Sequence, residues 1–177
     1  MIVYHGSTDV ISNPLAHIGR NHLDFGKGFY VTDLQQQAVS WAMRPANNGK
    51  KKYLNIYDFN LDQALLDGKS ILTFQQYNRA WLDFVVSNRK GGTEWQKYDI
   101  IQGGIANDRV FNTVELYAAD LITAEEALKR LSYHRPNNQI CITSQSVIDQ
   151  YLTYKESTEI SSLCSKTIPI SIKPSWR

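Results

Sequence analysis

One histidine and two aromatic residues have the types and the spacing of a small-molecule binding site. His5 ends a short apolar segment and is followed by Gly6. An imidazole can donate and accept hydrogen bonds at neutral pH, and a glycine lets the main chain approach a ligand closely. Tyr30 and Trp41 lie eleven residues apart, and two aromatic faces in a cleft make a slot for a flat ring. As alternatives, His5 could be an ordinary strand-end histidine, and both aromatic side chains could be core residues.

The stretch from residue 24 to residue 41 is expected to position the two aromatic rings. Two glycines flank Lys27, so the backbone can take turns there that a side chain would forbid. Residues 29–32 are aromatic or β-branched and predict a short strand. Residues 34–41 predict a helix, for which Asp33 is a natural N-cap. A loop, a strand and a helix in this order can bring the two rings side by side.

Local patterns also predict two helices further along the chain. From Thr73, apolar residues recur on one helical face until the glycines at 91 and 92, which are typical of a helix end. Thr123 and Glu126 have the spacing of a capping box, in which the threonine begins a helix and the glutamate is its third residue.

Composition indicates one soluble domain. The chain has 177 residues, 42% of them hydrophobic, and a net charge of +2, which is too small to argue for nucleic-acid binding. Its two cysteines and four histidines lack metal-ligand spacing, so no metal is expected, and Cys141 is interpreted as a buried structural thiol. No signal peptide or membrane-spanning stretch is visible. We therefore expect a cytoplasmic protein with no membrane association.

Four segments resemble those of a known enzyme group. Residues 25–30, Phe-Gly-Lys-Gly-Phe-Tyr, resemble the Phe-Gly-Lys-Gly-Ile-Tyr segment of diphtheria-toxin-like ADP-ribosyltransferases, especially the poly(ADP-ribose) polymerase catalytic domain. That group has a second aromatic residue eleven positions later, here Trp41. Residues 4–7 are similar to its His-Gly strand end. With residues 98–108 and 137–140, the chain most resembles a bacterial family of domains of unknown function related to that fold.

This resemblance implies the fold, the co-substrate and the partners. The expected fold is α+β and ADP-ribosyltransferase-like, with two packed, mainly antiparallel sheets, flanking helices and an NAD cleft between them. It would occupy residues 1–160, followed by a tail or an added strand over residues 161–177. NAD would be the co-substrate. The partners would be an unidentified acceptor, either a macromolecule or a small molecule, and a neutralising antitoxin protein, because relatives include bacterial toxins and phage-defence effectors.

The resemblance also implies residue roles. His5 would bond the adenosine ribose, the Gly6 backbone would hold the nicotinamide amide, and Lys27 would lie near the pyrophosphate or over the pocket mouth. A surface-loop lysine is an equal alternative for Lys27. The full NAD-binding set implied is His5, Gly6, Ser7, Lys27, Gly28, Tyr30 and Trp41. The family's hydroxyl residue for the nicotinamide amide falls at Ala38, which departs from the pattern and predicts a weaker grip.

The implied catalytic residues are His5, Tyr30 and Gln139. The family places a glutamate where this chain has Gln139, in the sequence Asn-Gln-Ile. A neutral amide can bond ribose hydroxyls, but it supplies no negative charge to a developing cation and cannot act as a general base. Asp108 is the candidate for a compensating carboxylate, although it could equally cap a helix.

The leading functional hypothesis is therefore mono-ADP-ribosyl transfer from NAD, because chain elongation is not expected without the glutamate. Asp24 and Glu115 are weaker candidates than Asp108 for the compensating carboxylate. The alternatives are a module that binds NAD or ADP-ribose without turnover, an NAD glycohydrolase with water as acceptor, and an interaction protein that has lost the pocket.

Overall fold

The fold is α+β, with two sheets and six α-helices in the part of the chain that the structure describes. The computed structural model describes residues 1–104, 108–132 and 138–160, without the side chains of residues 108 and 109. The predicted tail, residues 161–177, lies outside these ranges. The strands are β1 (Ile2–Ser7), β2 (Phe29–Val31), β3 (Tyr53–Phe59), β4 (Ile71–Thr73), β5 (Ile100–Gly103), β6 (Gln139–Ile142) and β7 (Leu152–Glu159). The helices are α1 (Gln35–Ala42), α2 (Leu61–Leu66), α3 (Arg79–Arg89), α4 (Asp108–Ala118), α5 (Ala124–Leu131) and α6 (Gln145–Tyr151).

The two sheets are mostly antiparallel. The first has the strand order β1-β3-β7 and the second has the order β2-β6-β5-β4. Within the second sheet β4 and β5 run parallel, and the other neighbours in both sheets are antiparallel. The prediction of two packed, mainly antiparallel sheets is confirmed at this level.

A short seam joins the sheets. The N–H of Tyr4 donates to the carbonyl of Thr32 at 2.7 Å, and the N–H of Thr32 donates back at 3.0 Å. The apolar core beside this seam contains residues of both sheets, among them Val3 and Tyr57 from the first and Ile100 and Ile142 from the second. A second core on the other side of the four-stranded sheet packs Cys141 with residues of α3, α4 and α5. The interpretation of Cys141 as a buried thiol is confirmed.

Helix α1 lies directly against β1, and a glycine makes this possible. A Cβ atom on Gly6 would lie 1.8 Å from the carbonyl oxygen of Ala38, far inside van der Waals contact. Ala38 and Ala42 are fully buried at this contact. Small residues on both elements therefore let the helix approach the strand that carries His5.

Two predicted helix starts are wrong and one is confirmed. Asp33 does not cap α1, because the N-cap position is Leu34 and no side chain caps this helix. The carboxylate of Asp33 accepts instead from Nδ2 of Asn138 at 2.9 Å. Helix α3 begins at Arg79 rather than near Thr73. Its N-cap is Asn78, whose side chain accepts a hydrogen bond from the N–H of Trp81. Thr123 caps α5 as predicted, accepting from the N–H of Glu126 at 3.2 Å.

None of the helices in the described ranges combines the length and the apolarity that crossing a bilayer requires.

The close contact between Gly6 and α1 can be tested by adding one methyl group. We expect Gly6→Ala to lower the free energy of unfolding by about 3 kcal/mol, because the Ala38 carbonyl belongs to a helix and cannot move aside freely. The matched control is Ser40→Ala, an exposed position on the same helix whose hydroxyl bonds only the Gln36 carbonyl. Urea unfolding measures both, and an unchanged midpoint for Gly6→Ala would contradict the packing described.

Candidate functional site

A cleft of about 640 Å³ lies beside the seam of the two sheets. Its walls come from β1, β2 and β6, from the loop before β2 and from the end of α1. Seven of the predicted site residues line it: His5, Gly6, Ser7, Gly28, Tyr30, Trp41 and Gln139. Segments that are far apart in sequence therefore converge on one cavity, of a size typical of ligand pockets.

His5 is held in one tautomer. Its Nδ1 lies 2.6 Å from the backbone carbonyl of Tyr30, and because a carbonyl only accepts, Nδ1 carries the proton. The ring also packs against Phe29, with 4.8 Å between ring centroids. Burial lowers the pKa of His5 below its usual value, against a smaller opposing effect of the bond to Tyr30. A neutral imidazole results, with Nε2 as its hydrogen-bond acceptor.

Tyr30 borders the cleft and also belongs to the core. Its hydroxyl donates to the carbonyl of Gly26 at 2.5 Å and accepts from the N–H of Phe25 at 3.3 Å. Burial, followed by the neighbouring Cys141, raises the pKa of this phenol well above its usual value. The phenol therefore stays protonated and holds the glycine-containing loop in place. Tyr30 thus has a structural role in the core as well as a position at the cleft.

Trp41 offers a more open aromatic face. Its side chain is half-buried, and the guanidinium carbon of Arg44 lies 5.8 Å from its ring centroid. Ala38, three residues earlier, is fully buried and packs on Gly6. The position at which the resembled enzymes carry a hydroxyl is thus used here for helix packing.

Gln139 is an almost buried amide with unused hydrogen-bonding capacity. It is 7% exposed and lines the cleft. Its side chain has no hydrogen-bond partner within residues 1–104, 108–132 and 138–160. The preceding residue, Asn138, is fixed: its carbonyl accepts from Oγ1 of Thr32 at 2.6 Å and from Nε2 of Gln37 at 3.3 Å. These bonds fix the backbone next to Gln139, so its side-chain amide is positioned to form hydrogen bonds with a ligand in the cleft.

The weaker carboxylate candidates, Asp24 and Glu115, both form ion pairs with one arginine, so the three groups together keep one negative charge. Asp24 lines the cleft, but its Oδ1 lies 2.7 Å from Nη2 of Arg89. Glu115 pairs with Nη1 of the same arginine at 2.8 Å. Asp108 begins α4, and its side chain lies outside the described part of the structure. Among described residues, no group of three or more His, Cys, Asp or Glu could hold a metal ion.

The structure separates Lys27 from the other predicted residues. Lys27 lines a second, smaller cavity of about 250 Å³, together with Trp95 and Asn88. Gly28, its neighbour, faces the main cleft and packs so closely on β6 that a Cβ would lie 2.6 Å from Sγ of Cys141. The lysine therefore points to a different cavity from the one that holds His5.

Asn55 supports the site and was not predicted. It is fully buried in β3, where its Nδ2 donates to the carbonyls of His5 at 3.3 Å and Asp9 at 3.1 Å. Its Oδ1 accepts from the N–H of Ile11 at 2.8 Å and from Oγ of Ser157 at 2.6 Å. One amide thus holds the end of β1 and the loop that follows it. In the sequence, Asn55 stands between Tyr53 and Tyr57 in an alternating segment, and this pattern does not indicate a role in holding another strand.

The lowered pKa of His5 predicts a pH effect on stability. The unfolded imidazole titrates near pH 6.5 and the folded one lower, so the unfolded state binds more protons between the two values. His5 thus contributes stability that is present above about pH 6.5 and is lost as the pH falls toward the folded pKa. We expect His5→Asn, whose Nδ2 can still donate to the Tyr30 carbonyl, to lose less unfolding free energy than the wild type on acidification. Urea unfolding across this pH window measures the difference, and parallel losses would contradict it.

Comparison with known proteins gives one match. The model of the family described as "Protein of unknown function (DUF3990)" matches residues 1–154. No curated protein and no solved structure matches the chain. The matched range contains all seven cleft-lining residues named above, from His5 to Gln139. The chain belongs to the DUF3990 family of proteins of unknown function.

Proposed function

We propose that the protein is an NAD-dependent mono-ADP-ribosyltransferase with an ADP-ribosyltransferase-like fold. The observation that carries this proposal is the convergence of His5, Tyr30, Trp41 and Gln139 on one cleft. The resemblance implies these same residues as site residues from the sequence alone, and they come from four separate segments. A set of unrelated core residues would not be expected to line the same cavity.

The proposed binding mode uses the open face of Trp41 and the fixed imidazole. The nicotinamide ring stacks on Trp41, and its amide approaches the backbone of Gly6. Nε2 of His5 accepts a hydrogen bond from a ribose hydroxyl, as the fixed tautomer allows. The nearly buried amide of Gln139, which has no side-chain hydrogen bond to a described residue, bonds the hydroxyls of the nicotinamide-side ribose. NAD would thus supply a hydrogen-bond partner for this amide.

The proposed reaction is a substitution at the anomeric carbon of that ribose. A nucleophilic atom of the acceptor forms a bond to the carbon, and the glycosidic bond to nicotinamide breaks. The bonding electron pair moves to the pyridinium nitrogen, so nicotinamide leaves as a neutral molecule. Hydrogen bonds that hold the ribose in position favour this step by orientation. Because Gln139 is neutral, the proposed enzyme transfers single units and relies on a nucleophile that the acceptor supplies.

A second candidate function is NAD or ADP-ribose binding without turnover. The neutral Gln139 and the pairing of Asp24 with Arg89 favour it, since neither leaves a free negative charge beside the reacting carbon. Both candidates require NAD in the same cleft, and they differ only in whether nicotinamide is released.

Nicotinamide release from NAD by the purified protein is the test that separates them. We expect release that increases when cell lysate is added as a source of acceptors, and labelled ADP-ribose should appear on an acceptor. Equal release with and without lysate would indicate hydrolysis by water instead. No release, with NAD binding detected by calorimetry, would support the binding module. Absence of NAD binding would contradict both candidates.

Gln139→Glu tests the placement of the amide beside the ribose. We expect this variant to raise the rate of nicotinamide release by at least about tenfold, because a carboxylate stabilises a developing cation. The matched control is Gln36→Glu, the same change of charge at an exposed position on α1 outside the cleft, which should leave the rate unchanged. An unaltered rate in a folded Gln139→Glu protein would count against this placement.

A further inference from the structure

Two arginines in the cleft have no acidic partner. Arg20 and Arg44 both line the cavity, and neither forms an ion pair within the described ranges. The third arginine of the cleft, Arg89, is paired with both Asp24 and Glu115. Among the described lining residues, Arg20 and Arg44 are therefore the two guanidinium groups whose positive charge no carboxylate pairs with.

Arg20 is positioned by a contact between two glycines. A Cβ on Gly19 would lie 2.5 Å from the carbonyl oxygen of Gly28, so the loop before β2 touches the segment that leads into Tyr30. The same loop is attached further back, where the N–H of Ala16 donates to Oε1 of Gln145 at 2.9 Å. Arg20 therefore extends from a loop that is fixed on both the second sheet and α6.

Arg44 lines the cleft from the segment that follows α1. It follows α1, which is seated on Gly6, and its carbonyl accepts from the N–H of Asn47 at 2.9 Å. Nδ2 of Asn47 donates to the carbonyl of Ala42 at 3.0 Å and closes the end of the helix. The guanidinium lies 5.8 Å from the Trp41 ring centroid. One arginine thus stands beside the proposed nicotinamide slot, and the other stands beside Gly28.

We propose that Arg20 and Arg44 bind the diphosphate group of the dinucleotide and make the cleft selective for diphosphate-containing ligands. This inference rests on the function proposed above. A guanidinium presents a planar fork of donors that matches phosphate oxygens, and an unpaired one is free to use it. Lys27 was expected near the pyrophosphate, but it lines the smaller cavity. The two arginines take the role that the sequence suggested for the lysine.

Binding of three probes tests the proposal: NAD, ADP and nicotinamide riboside, which lacks the diphosphate. We expect Arg20→Ala and Arg44→Ala each to weaken NAD and ADP binding about tenfold, the typical loss for one hydrogen-bonded charge, and not to weaken binding of nicotinamide riboside, whose pyridinium ring is itself a cation. Salt should weaken ADP binding to the wild type more than to the double variant, because screening acts on the removed charges. Calorimetry measures the dissociation constants.

The control removes the same charge elsewhere. Lys50→Ala combined with Lys129→Ala changes two exposed positions that do not line the cleft, and it should keep wild-type affinity for all three probes. If the double arginine variant binds ADP as well as the wild type does, or if the wild type does not bind ADP, the proposal is overturned. If ADP binding depends on the arginines but NAD is neither bound nor cleaved, the diphosphate site stands and the proposed function fails.

Discussion

The structure depends on the short seam at which its two sheets meet. Tyr4 and Thr32 exchange backbone hydrogen bonds there, and one residue later His5 donates to the carbonyl of Tyr30. Among the described residues, the backbone pairing between the two sheets is this one bridge, whereas each sheet continues its own ladder away from it. The cleft lies beside this seam, and the His5 side chain bonds across it from β1 to β2.

Several residues that face the cleft also hold the fold, which limits how their substitution can be interpreted. The phenol of Tyr30 fixes the loop at Gly26, and Asn55 fixes the carbonyl of His5 and the loop at Ile11. Removing a large buried aromatic side chain costs about 3–5 kcal/mol, against a total stability of about 5–15 kcal/mol for a typical domain. Loss of ligand binding in such variants is informative only beside an unfolding measurement. Trp41, Arg20 and Arg44 are more exposed and report on the cleft more directly.

The sequence predicted the elements well because their signals are local. The aromatic and β-branched residues at 29–32 identified β2, and the capping box identified the start of α5. Contacts between residues distant in sequence are not visible in such local signals. Asp33 does not cap α1, and its carboxylate instead accepts a hydrogen bond from Asn138, more than a hundred residues away. Lys27 lines the smaller cavity rather than the cleft that His5 lines, a placement that no local pattern indicates. The partners of Asn55 likewise come from β1, its following loop and β7, which no local pattern reveals. The convergence of His5 and Gln139 could be anticipated only through the resemblance.

Under the proposed function, the charges of the cleft favour the binding of NAD but not its cleavage. Its neutral groups are His5, Tyr30 and Gln139, its carboxylate Asp24 is compensated, and Arg20 and Arg44 add positive charge. Such a field would attract the anionic dinucleotide of the proposed reaction, but it would disfavour the cation that develops as nicotinamide leaves. Catalysis requires interactions that strengthen in the transition state rather than in the bound substrate. Among the described residues that line the cleft, no unpaired carboxylate supplies a negative charge, so an anionic acceptor that enters beside the ribose would add the missing charge and the nucleophile together. Turnover would then depend on the acceptor, which is the behaviour expected of a transferase that does not waste its co-substrate on water.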